Sequence, residues 1–169
     1  MTAGAVSDVQ GAAFCLPEGV EGVEFLPYLA LVFEDGETMQ LSIWTIVEGE
    51  AESLSRGIEI TYQPLDTHGL GSSIVEPPTL AMGVFPHVLV CSLGSFIAVF
   101  MRATGLMSAY QLQNKKLNLL AKENLGHYIV DAVMRFSAID GSIEILMLLS
   151  DANNNKDGRI ACYNFRSQA

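Results

Sequence analysis

Residues 143–165 read IEILMLLSDANNNKDGRIACYNF, and their reading decides the fold. An apolar run of strand length ends in a polar, Asn-rich turn closed by Asp157-Gly158, and a shorter run with a late aromatic follows. Asn and Gly accept the positive backbone angles that a tight connection needs, so the stretch reads as a β-hairpin. Its first strand is apolar at odd and even positions alike, the pattern of a strand covered on both faces.

The same unit recurs upstream. Residues 128–140, YIVDAVMRFSAID, precede a Gly141 turn, and LMSAYQLQ at 106–113 alternates after a turn at 103–105. KKLNLLAK at 115–122 suits strand or helix. Residues 77–101 carry no charged side chain and match the about 20 residues of a membrane span. Gly83, Pro86, His87, Ser92, Gly94 and Ser95 interrupt them, however, so they divide into strands around Leu93-Gly94-Ser95 rather than crossing a membrane. YLALVF at 28–33, a turn at 34–37 and MQLSIWTIV at 39–47 form another hairpin with period-two patterning. IEITYQ at 58–63 reads as a further strand, and 48–57 as a charged loop. Residues 64–78, punctuated by Pro64, Pro77, Pro78 and several glycines, read as a second loop.

Half of the 169 residues are hydrophobic, only 17% are charged, and mean hydropathy is +0.32. That is too apolar for disorder and means either an unusually large core or apolar surface covered by a partner. The net charge of −10 is lopsided: residues 1–86 hold 13 acids and one base, whereas 87–169 hold 6 acids and 8 bases. An acidic half repels phosphate, so nucleic acid is not an expected ligand. Glu48, Glu50, Glu52 and Asp66 are the candidate contacts for a basic protein partner. Cys15, Cys91 and Cys162 show no CxxC spacing, and the N-terminus lacks a basic segment before an apolar one. Together they predict free thiols and an intracellular location, cytoplasm or nucleus.

The motif search yields little chemistry. Asp151, Asn153, Asn155 and Asp157 have the alternate spacing of a calcium loop, but the bidentate Glu such a loop requires is Asn164 here. No histidine or serine lies in a catalytic motif, and GLGSS at 69–73 neither follows a clear strand nor opens a helix. No catalytic residue, cofactor or metal is therefore assigned.

Three segments align: FEDGETMQLSIWTI, MRATGLMSAYQL and NNKDGRIACYNF, each with a Gly and a late aromatic, Trp44, Tyr110 or Tyr163. Gly105 to Tyr110 and Gly158 to Tyr163 are both spaced by five residues, Gly36 to Trp44 by eight. The ending DGRIACYNF resembles the third strand of a WD40-type propeller blade, which Asp-Gly opens and an aromatic plus a polar residue close. Here Asp157-Gly158 opens it, and Tyr163-Asn164 stands where Trp-Asp would be. Trp44-Thr45 and Tyr110-Gln111 are weaker versions, and no Gly-His pair precedes any copy, so the pattern is degenerate. ILMLLS through DGRIACYNF is also similar to the closing blade of the N-terminal propeller of a cytoplasmic-face nucleoporin, which implies a place at the nuclear pore.

The expectation is an all-β chain: a lead-in at 1–13, then one domain over 14–169 of about three blade-like repeats (14–76, 77–127 and 128–169). Propellers use about 4–8 blades, so three imply a fragment or an incomplete ring that self-association or another subunit completes. A β-sandwich or barrel is the alternative fold. The expected function is a protein-interaction platform or structural subunit that presents its acidic half to a basic partner. The alternatives are a small-molecule-binding or catalytic barrel or sandwich, and a repeat stabilised by calcium in the 151–160 turn.

Overall fold

The computed structural model describes residues 9–15, 28–36, 38–46, 62–72, 88–102, 104–151 and 154–165. They form eleven strands and no helix: β1 (Val9–Cys15), β2 (Tyr28–Asp35), β3 (Thr38–Ile46), β4 (Tyr62–Ser72), β5 (Val88–Leu93), β6 (Phe96–Met101), β7 (Leu106–Gln113), β8 (Lys116–Asn124), β9 (Tyr128–Phe136), β10 (Ile143–Asp151) and β11 (Asn154–Phe165). The strands make three antiparallel meanders. The first sheet runs β1-β2-β3-β4, the middle sheet β5-β6-β7-β8, and the last sheet β9-β10-β11. None closes into a barrel, and none of the described helices is long and apolar enough to cross a membrane, since there are none.

The sheets stack in chain order, and uncharged strands explain why. β6, FIAVFM, is buried at every position. Ile97, Val99 and Met101 join a core with Val32, Leu41 and Ile43 of the first sheet, while Phe96, Ala98 and Phe100 join a second core with Ile129, Ile145 and Met147 of the last. Alternate residues of one strand thus serve two layers. Each large side chain so buried is worth about 1.5–3 kcal/mol relative to exposure. The leading strands lie near one another, β1 against β5 and β5 against β9, while β4 approaches β8 at the far side. Gly11 permits the first of these approaches, because a β-carbon there would sit 2.8 Å from Val90 Cγ2.

Turn chemistry sets the connections. The span of 77–101 holds the β5–β6 hairpin, with Gly94 at φ +57° in the expected turn. β7 and β8 join through Asn114 and Lys115, at φ 51° and 62°, the two positive angles of a type I′ hairpin turn. The segment at 115–122, open between strand and helix, is therefore strand.

Three expectations need correction. The supposed loop at 64–78 is β4 as far as Ser72. Its proline does not break the ladder because Pro64 sits on an edge strand, where the register with β3 shifts between Ile43 and Trp44. Asp157-Gly158 lies inside β11 rather than closing a turn, and the β10–β11 register shifts between Ser150 and Asp151 to take in the extra residues. Residues 9–13, read as lead-in, belong to β1, which pairs along β2. The first two aligned segments run from the second strand of their sheet into the third, and NNKDGRIACYNF is the whole of the third strand β11, so that Trp44 lies on β3, Tyr110 on β7 and Tyr163 on β11.

Candidate functional site

Of the four acids proposed to meet a partner, Glu48, Glu50 and Glu52 lie outside the described residues. Asp66 lies on β4, and its carboxylate turns inward to join the first and middle sheets. Asp66 Oδ2 accepts the Leu117 N–H of β8 at 2.8 Å and lies 3.0 Å from His68 Nε2, while Oδ1 accepts the Thr67 N–H at 3.0 Å. An ionised carboxylate is acceptor-only, so His68 presents a donor there. The His68 ring meets Tyr110 of the middle sheet edge-on, with centroids 5.6 Å apart. Partial desolvation raises the Asp66 pKa, but the Leu117 N–H, His68 and the Thr67 N–H outweigh it and hold the carboxyl below its ordinary value.

Among the described residues, the serine and threonine hydroxyls nearest this pair do not face it. Ser42 and Thr67 hydrogen-bond to each other at 2.9 Å, and the strand alternation puts them on the opposite face from His68. The arrangement ties two sheets together. Replacing Asp66 by alanine leaves the Leu117 N–H without its charged acceptor and is expected to cost about 1–3 kcal/mol. A folded-state pKa below the unfolded one means that Asp66 stabilises above the unfolded value. That contribution fades as pH falls through the folded value. Wild type should therefore lose stability on acidification more steeply than Asp66→Ala, as read by urea melts down to strongly acidic pH. Parallel pH profiles would contradict this role.

The calcium candidates are not brought together in anything described. Asp151 ends β10, Asn155 and Asp157 lie along β11, and Asn153 is outside the described residues, as are the side chains of the other three. Among the described residues, no three of His, Cys, Asp and Glu cluster to hold a metal. Burial pushes the Cys15 thiol up to about 12, and burial with the nearby Asp131 charge pushes Cys91 up to about 11. Neither is a ready nucleophile, because the thiolate is the reactive form. Cys162 is exposed on β11.

The feature with functional content is the outer surface of the stack. The middle sheet is covered on both sides, but the end sheets carry apolar side chains on their outer faces as well. On the last sheet Val133, Leu148 and Ile160 are 55%, 41% and 80% exposed. With Asp131, Ala132, Leu146 and Met147 they line a hollow of about 310 Å³. The Arg135–Glu144 ion pair, at 2.6 Å, borders this face. On the first sheet, alternation turns Phe14, Leu29, Leu31 and Phe33 away from the core side, and Phe14 is 59% exposed. Trp44 shares their face, outside both core clusters. It is buried, and its indole N–H has no hydrogen-bond partner among the described residues. Sequence reasoning named only the acids as contact residues, although it read the strands as apolar on both faces. Their signal was present in IEILMLLS, where Leu146 and Leu148 are apolar at positions that a one-sided strand would make polar.

No protein-family model matches this chain, and no curated protein matches it.

Proposed function

We propose that the chain is a protein-interaction platform or structural subunit of a larger intracellular assembly, and that its three sheets are WD40-like propeller blades of an incomplete ring. The observation that carries this is the contrast between the middle sheet and its neighbours. A sheet apolar on both faces needs a sheet on each side; among the described residues the middle one has both, and each end sheet has one. Propeller blades stack in this way, with their leading strands gathered toward one axis, as β1, β5 and β9 are here. The third-strand aromatics agree with that order. Tyr110 faces the first sheet and Tyr163 the middle sheet, each looking back along the stack, and Trp44 occupies the corresponding face of the first sheet. The acidic half, with 13 acids against one base in residues 1–86, favours a basic partner and repels acidic ones.

The test is an apolar reporter dye titrated against the dilute 169-residue chain. The apolar side chains exposed on the end sheets should bind it, and Leu148→Glu on the last sheet should lower the signal while circular dichroism is unchanged. A closed β-barrel or sandwich with no uncovered apolar face would leave the dye dark, and that result would remove the platform reading.

A further inference from the structure

We infer that the hollow on the last sheet receives the first sheet of a second copy of this chain, packed head to tail, with Phe14 of one copy entering the hollow of the other. This rests on the blade reading above and names the partner that completes it.

The argument begins with the two seams inside the chain. Each sheet lays its later face on the earlier face of the next, and the leading strands stay adjacent, β1 by β5 and β5 by β9. The same step taken once more sets the β1 of another copy beside β9. Residues 131–133 of β9 form one wall of the 310 Å³ hollow. The residue that the outer face of β1 offers there is Phe14, a large apolar side chain 59% exposed in the single chain. An exposed ring on one end of the stack and an apolar hollow on the other end are complementary features of one molecule.

Charge disfavours the head-to-head alternative. Contact between first sheets would bring together the halves of net charge −12, whereas the last sheet, residues 128–165, carries only five acids against three bases. The two faces also differ, so the contact is heterologous and must either close or propagate. Two copies bring six sheets, inside the about 4–8 at which stacked blades close into a ring. Closure makes the contact twice per dimer, once at each junction.

The experiment is light scattering on the full chain, with paired variants. Wild type should give twice the 18.3 kDa of one chain. Phe14→Glu and Ile160→Glu should each halve the measured mass, with circular dichroism unchanged because both side chains are exposed. Mixing the two variants should restore part of the dimer, since one junction of the mixed pair keeps Phe14 and Ile160 intact. A dimer disrupted by Ile160→Glu but not by Phe14→Glu would overturn the head-to-tail contact. A single-chain mass at every concentration would overturn the second copy altogether. In that case retained dye binding leaves the platform reading standing with another partner, and absent dye binding removes both.

Discussion

Replacing Gly105 with alanine is expected to lower stability by about 3 kcal/mol or more, because two penalties fall on one atom. Gly105 has φ +76°, a conformation that costs an L-residue about 1–2 kcal/mol. The added β-carbon would also overlap the His127 carbonyl oxygen and lie 3.0 Å from its nitrogen. Both are backbone atoms, so no side chain can swing aside. Relief requires the β6–β7 turn to part from the connection between β8 and β9. That connection is held by the Leu125 N–H donating to Gly105 O at 2.9 Å and the Ile129 N–H donating to Arg102 O at 3.0 Å. Thermal unfolding followed by circular dichroism should show a Tm lower by roughly 10 °C, taking the usual scaling for a chain of this size. Gly141→Ala is the control. It too has positive φ, at +69°, but nothing lies within 4 Å of its would-be β-carbon, so only the conformational cost remains. Equal losses at the two glycines would show that the close approach at Gly105 is not real.

Phe100→Ala should cost about 3–5 kcal/mol. Phe100 is fully buried on β6, paired across the ladder with Met107, and belongs to the core between the middle and last sheets with Ile145 and Met147. Rigid strands on both sides limit how far this site can collapse, so the cavity persists and adds to the lost transfer energy. Urea melts of the variant beside Val133→Ala separate a core position from an outer-face one. Val133 is more than half exposed and should lose less than about 1 kcal/mol. Comparable losses would mean that β6 is not the centre of the stack.

How much of this was legible in the sequence depended on whether the deciding contact was local. The hairpins at Gly94 and Gly141, and the alternation of MQLSIWTI and LMSAYQLQ, depend on neighbours along the chain, and they could be read. β4 could not, because Pro64, Gly69 and Gly71 are turn residues by any local rule; an edge position and a register shift make them compatible with a strand. The start of β11 was hidden by its asparagines in the same way. Asp66 was recognisable as an acid, but its principal partner, the Leu117 N–H, lies 51 residues away. Only the tertiary stack reveals that this carboxylate serves a seam rather than the surface. The outer faces were half legible: two-sided apolar strands announce that both sides need cover, without stating which side the chain itself leaves open.

The central claim is a three-sheet stack with a buried middle and apolar side chains exposed at its ends, Phe14 on the first sheet and Val133, Leu148 and Ile160 on the last. Hydroxyl-radical footprinting tests it most directly, since it reads the exposure of individual side chains. In dilute solution Phe14, Val133, Leu148 and Ile160 should oxidise readily while Phe96, Phe100, Met107 and Met147 resist. At high concentration the first group should become protected and the second should not change. Ready oxidation of Phe100 and Met107 in the dilute chain, at the rate of Phe14 and Ile160, would contradict the account.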